Sequence, residues 1–167
     1  LGQTEQVRLV CFMDGPFAQE ARDLGIDTVV MASHNVLKVA AALAGEIAGG
    51  GYQVVHCHGS RANMIGALLR PRISVPVVTT VHSDYRLDYL GRPFHRLTYG
   101  TINTVCLRKI PYHIGVSNAM AELLISRGFD PQTMFSIYNG VPFDAVEPAR
   151  DRASYLESVG LPAEPES

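Results

Sequence analysis

Pro76-Val77-Val78-Thr79-Thr80-Val81-His82 is a stretch without charge whose apolar residues do not alternate with polar ones. A strand of an open, half-solvated sheet shows that alternation, whereas a strand covered on both faces does not. The stretch therefore predicts the interior of a parallel sheet. Further short β-rich runs lie on either side of it: Val7–Met13, Thr28–Ala32, Gln53–His58, Tyr112–Val116 and Met134–Tyr138. Helix-length amphipathic segments separate them, at Pro16–Leu24, Val36–Ala48, Arg61–Arg70, Phe94–Lys109 and Ala119–Ser126. Strand and helix in alternation specify an α/β domain, a Rossmann-like parallel sheet with helices on both faces. Gly49-Gly50-Gly51 is read as a helix end, not a phosphate cradle.

Length and composition fit one such domain. The chain has 167 residues, 47% hydrophobic and 18% charged, with a formal net charge of -2. That balance predicts a packed core and excludes a disordered chain. It also offers no basic field for nucleic acid. Cys11, Cys57 and Cys106 are far apart and form no C-x-x-C pair, so neither a disulfide framework nor a zinc knuckle is indicated. A reducing, cytoplasmic location is expected. No apolar run approaches the roughly 20 residues that cross a bilayer. The first residue is Leu1 and not Met, which suggests a piece of a longer protein.

In open α/β sheets ligands gather at the carboxyl ends of the strands. Three segments fall there: His56-Cys57-His58-Gly59-Ser60, His82-Ser83-Asp84 and Ser117-Asn118. His56 and His58, two apart on a strand, share a face, but carboxylate or thiolate partners at metal-binding spacing are absent and no metal is expected. His82 ends the most apolar strand, where an imidazole can donate to a phosphate or a substrate hydroxyl near neutral pH. A loop-capping role is the plainer alternative.

Gly115-Val116-Ser117-Asn118-Ala119 is close to the G-x-S-x-G nucleophile elbow, which makes an α/β hydrolase using Ser117 a competing reading. No histidine follows Ser117 in the chain, however, so the hydrolase chain order cannot be met, and Ser117 is better read as a helix N-cap. Neither G-x-x-x-x-G-K-[ST] nor G-x-G-x-x-G is present. Between Tyr85 and Lys109, Arg86, Arg92, His95, Arg96 and Arg108 mingle with Tyr89, Phe94 and Tyr99. Such a stretch can suit an anionic membrane surface or a phosphorylated acceptor, but a core helix with a solvated basic face is the plainer and favoured reading.

Val54-Val55-His56-Cys57-His58-Gly59, Val75–His82, Gly115-Val116-Ser117 and above all Ile137-Tyr138-Asn139-Gly140-Val141-Pro142-Phe143-Asp144 resemble, in order and spacing, the N-terminal, acceptor-side domain of family 4 glycosyltransferases. The resemblance spans about residues 7–162. It implies half of a GT-B enzyme, in which two Rossmann-like domains face each other and move a sugar from a nucleotide-sugar donor with retention of configuration. His82 is then similar to the family's cleft histidine and is the catalytic candidate. His58, Gly59, Ser60, Ser83 and Asp84 line the acceptor side, Ser117 and Asn118 the cleft, and Asn139 and Gly140 open the hinge.

On this reading residues 1–144 form the domain and 145–167 a linker, with one short amphipathic piece at Ala153–Val159, toward a donor-binding domain that the chain does not contain. No cofactor is expected in the chain itself. The acceptor is a glycan, a glycolipid or a small molecule, and attachment to an anionic membrane surface fits the basic stretch. A cell-envelope polysaccharide role is expected. The family's paired glutamates, E-x7-E, do not occur, so the chain by itself is expected to transfer no sugar. The family's opening strand and Gly-rich loop are also not found, and because that strand is central, two strand edges should be left unpaired and stability reduced. A non-catalytic domain binding an acceptor or a partner protein is the alternative function.

Overall fold

A computed structural model describes residues 5–84, 101–140 and 151–160. Among them are six strands, β1 (Arg8–Cys11), β2 (Asp27–Val30), β3 (Val55–His58), β4 (Val77–Val81), β5 (Tyr112–Gly115) and β6 (Met134–Ser136). Six α-helices accompany them: α1 (Pro16–Asp23), α2 (Val36–Gly50), α3 (Gly59–Leu69), α4 (Thr101–Lys109), α5 (Asn118–Ser126) and α6 (Arg152–Ser158). Every expected strand is present and one to three residues shorter than expected, five of them within the expected bounds and β2 starting one residue earlier, at Asp27. The expected helix at 94–109 is seen from Thr101 onward; its earlier residues, with the basic-aromatic side chains from Tyr85 to Tyr99, lie outside the described residues.

All strand pairs are parallel, and they form two sheets, β1-β2 and β3-β4-β5-β6. β4 is flanked on both sides, with Thr79 opposite Cys57 and His113. Its burial follows: Val77 and Thr79 are 1% and 0% exposed. Among the described residues the facing edges of β1 and β3 pair with no strand, and an apolar cavity of about 910 Å³ lies between them.

Local chemistry sets the element ends. Asn35 Oδ1 accepts from the N–H groups of Leu37 and Lys38 at 3.1 and 3.0 Å, starting α2, and Gly51 at φ 69° stops it. Gly49 and Gly50 remain in the helix, so the triple glycine is a helix end. The sequence pattern places the start of α3 at Arg61, but it begins at Gly59, because a φ of +82° there turns the chain straight from β3 into the helix. Ser60 therefore sits in the first turn of a helix and not in a loop. The expected amphipathic piece near Ala153 is α6, capped by Asp151.

Apolar clusters fix this frame, one of them Cys57, Val77 and Ile110 beneath β3 and β4. Val39, Ala40 and Leu43 of α2 interlock with Ile65 and Leu69 of α3 and hold the two sheets under one layer. Val81, Leu107, Leu124 and Phe129 close the other end, where α4 and α5 meet β4. Glycine permits the closest approaches: a Cβ on Gly66 would lie 2.6 Å from Cys57 Sγ, and one on Gly115 would lie 2.8 Å from the Ala121 nitrogen.

Candidate functional site

At the carboxyl ends of β3 and β4 the register sets His58 opposite Thr80 and His56 opposite Val78. Alternation then puts His56, His58, Thr80 and His82 on one face, and Cys57, Thr79 and Val81 on the other, toward α3. The residue types obey this division. Cys57, Thr79 and Val81 are 4%, 0% and 6% exposed, while His56, His58 and His82 are exposed.

The three imidazoles form a row. His58 Nδ1 lies 3.1 Å from His82 Nε2, and the His56 and His58 rings are 4.3 Å apart between centroids. His56 Nε2 is 2.7 Å from Thr80 Oγ1. A hydrogen bond between two imidazoles needs one ring nitrogen to donate and the other to accept, so the His58–His82 pair survives only while at least one ring is neutral. Burial, then the neighbouring His82, pulls His58 below its ordinary value, and burial, then His58 and His82, does the same to His56. His56 and His58 are thus held toward their neutral forms, as donors and acceptors in a row that opens to solvent at His82.

Beside this row the first turn of α3 points its N–H groups toward the strand ends, with no side chain capping them. Gly59 and Ser60 belong to that turn. Cys57, between the two histidines in sequence, faces the core, and burial pushes its thiol up to about 12, so it is a neutral filler and neither nucleophile nor thiolate ligand. Among the described residues no group of three or more His, Cys, Asp or Glu is arranged to hold a metal ion.

Asp84 and Ser117 use their side chains structurally. The Asp84 carboxylate accepts two hydrogen bonds from the Arg127 guanidinium, at 2.5 and 2.6 Å, which braces the segment after β4 against the end of α5. Ser117 is extended, φ −161°, and its Oγ accepts from the Met120 N–H at 3.1 Å. That is the N-cap geometry, and among the described residues only glycines have positive φ, so the strained turn of a nucleophile elbow is not found here. Asn118 is exposed, and its backbone N–H lies 3.5 Å from Tyr138 Oη. Ser83 follows His82 at the exposed rim, and the register of Val81 with Gly115 sets the residues after β4 beside those after β5. Asn139 and Gly140 are exposed beyond β6.

Sequence reasoning missed a buried polar brace beneath the histidines. The Thr79 hydroxyl donates to Asn63 Oδ1 at 2.6 Å, and Asn63 Nδ2 donates to Asn103 Oδ1 at 3.3 Å, tying β4, α3 and α4 together. Two threonines in an otherwise apolar run were the available signal, since a buried hydroxyl demands a partner.

A strand-end cluster on this parallel frame fits the family resemblance, and comparison with known proteins decides it. The family model described as Glycosyltransferase Family 4 matches residues 3–145. The chain belongs to glycosyltransferase family 4. No curated protein matches the sequence. Among solved structures, the family 4 chain is similar in fold to HepE of Anabaena, crystallised with UDP, at a TM-score of 0.61 and 19% identity, covering 92% of this chain and 42% of that one. HepE crystallised with UDP-glucose gives 0.62 and 18%, and with UDP and glucose 0.62 and 17%, over the same shares. The chain thus spans about two-fifths of the length of those proteins, corresponding to half of a GT-B fold.

Proposed function

We propose that this domain is the acceptor-side half of a retaining glycosyltransferase, which moves a hexosyl-type sugar from a nucleotide-sugar donor to a hydroxyl of a glycan, a glycolipid or a small molecule. The observation that carries the reading is the pairing of His82 with His58 at the mouth of the sheet. An exposed imidazole held by a second, neutral one is oriented to meet a sugar hydroxyl or a phosphate. His82 is the residue set against the transferred sugar; His58, Gly59, Ser60 and Ser83 surround the acceptor; Ser117 and Asn118 border the cleft; Asn139 and Gly140 lead toward a donor-binding domain. Asp84 acts there through Arg127, as a positioning residue.

UDP and glucose in the HepE crystals support a nucleotide-sugar donor. Groups from both halves of a GT-B cleft must be in register for transfer, so residues 1–167 by themselves should not turn over. A cytoplasmic location with membrane association fits the absence, among the described residues, of any helix long and apolar enough to span a bilayer. A cell-envelope glycan is the acceptor class we favour.

The test is nucleotide release from a panel of sugar nucleotides, by a polypeptide that joins this domain to a donor-binding domain, with candidate acceptors and with His82→Ala alongside. Release that depends on acceptor and drops at least about a hundredfold in the variant supports the assignment. Unchanged release in a folded variant removes His82 from the chemistry, and no release with any donor favours a non-catalytic binding domain.

A further inference from the structure

His82 is the first residue past the ladder, since the last pair of β4 with β5 is Val81 opposite Gly115. Its ring is exposed, and among the described residues it bonds to His58 alone, Nε2 to Nδ1 at 3.1 Å. Two exposed imidazoles at the mouth of a sheet have several rotamers open to them, so a single arrangement has to be fixed from below. Thr80 lies below them. It sits in the central strand β4, opposite His58 on one side and Ile114 on the other, and is 8% exposed. Its Oγ1 is 2.7 Å from Nε2 of His56, whose ring is 4.3 Å from that of His58 between centroids.

The direction of the Thr80–His56 hydrogen bond follows from burial. A buried hydroxyl has to place its hydrogen on an acceptor, and among the described residues the partner of this one is His56 Nε2. A protonated Nε2 would donate to Oγ1 and leave the hydroxyl hydrogen without a partner. The separation is also shorter than an N–H donor to oxygen usually gives. Thr80 therefore donates, Nε2 accepts, and the neutral ring carries its proton on Nδ1. Burial, then His58 and His82, lowers His56 and favours that neutral form. Thr79, one residue earlier, turns its hydroxyl to the opposite face and into the Asn63 brace, so the two threonines serve different ends.

We propose that Thr80 and His56 are positioning residues for the transfer step: Thr80 locks His56 in the Nδ1–H tautomer, and the locked ring is the platform that turns Nδ1 of His58 toward His82. The proposal rests on the reading that sets His82 against the transferred sugar. Both residues act through His58, and their contribution is orientation, which transfer between two held groups demands.

Imidazole nitrogen resonances read the tautomer directly. Above neutral pH, His56 of the chain should show a protonated Nδ1 and a bare Nε2. In Thr80→Val the two tautomers should mix, whereas Thr80→Ser keeps the hydroxyl and the tautomer. Thr79→Val breaks the core brace instead, and should lower the urea midpoint with the His56 tautomer retained. A protonated Nε2 in the unsubstituted chain overturns the proposal. Turnover is measured in a polypeptide that joins this domain to a donor-binding domain. Thr80→Val and His56→Ala should each lower kcat about tenfold, with KM for donor and acceptor within about twofold, and Thr80→Ser should restore kcat. The double variant should be no slower than the slower single one, because the two residues act in series. Unchanged kcat in Thr80→Val, or losses that multiply in the double variant, would also overturn it. His82→Ala separates the proposal from the reading beneath it. If His82→Ala transfers sugar at the full rate, both fall; if His82→Ala is slowed and Thr80→Val is not, only the positioning role falls.

Discussion

The two sheets of this domain follow the same rules with different outcomes. β4 has a parallel strand on each side, and around it Leu69, Val77, Leu107, Ile110 and Leu124 are at most 1% exposed. Around β1 the side chains are of similar apolar character, yet Leu9, Val10 and Phe12 are only half-buried, Val54 is 53% exposed and Phe17 68%. Composition does not separate these regions; the second neighbour does. A parallel strand is buried by what flanks it as much as by the helices above and below, so one open seam leaves apolar residues wet on both of its edges.

The largest effect should come from cutting the same kind of contact in each region. Leu124→Ala removes a side chain with no exposure from the closed half and is expected to cost about 3 kcal/mol in urea unfolding. Val10→Ala at the open seam should cost under about 1 kcal/mol, since its methyl groups are already partly in water. Equal losses would mean that the seam is closed in solution. Next come two glycines. Gly66→Ala drives a methyl against Cys57 Sγ and should destabilise by about 1–3 kcal/mol. Gly45→Ala, in α2 with nothing within 4 Å of its Cβ, should stabilise by about 0.5–1 kcal/mol through helix propensity.

Acid should loosen the closed half first. His113 is buried, its Nε2 donates to the Leu107 carbonyl at 2.9 Å, and its Nδ1 has no partner. Burial lowers its value below 6.5, against the weaker opposing pull of that hydrogen bond. The unfolded chain therefore takes up a proton before the folded one does. Stability is complete above pH 6.5 and declines as the pH falls from there through the lowered folded value. Urea midpoints at pH 7.5 and 5.5 measure the loss, and His113→Gln should flatten it. The smallest effect is expected at the site. His82→Ala should leave the urea midpoint nearly unchanged while the His58 resonance titrates at a higher pH, because one of the two influences depressing it has gone. An unmoved His58 titration would show that the pair is not formed in solution.

Much of this was legible in the chain. The strands were found because an apolar run of four to six residues bounded by turn signals has few alternatives, and the helices because their periodicity and caps are local. The strand-end rule picked out His58 and His82, and the cap reading of Ser117 held because Ser-to-N–H geometry is set within four residues. The Asp84–Arg127 brace was not legible, since its partners are 43 residues apart, nor was the Thr79–Asn63–Asn103 brace, which joins three elements. Nothing local marks which of several polar residues will meet.

What the sequence determined by itself is therefore the order and kind of the elements, the family, and the positions standing at strand ends, because hydrophobic period, glycine at positive φ and capping act over a few residues. Only the tertiary structure decided that His58 and His82 share a hydrogen bond, that Cys57 turns inward, and that an open slot separates β1 from β3. Each of these depends on register and on which edges meet, and those are set by the packing of whole elements across the core.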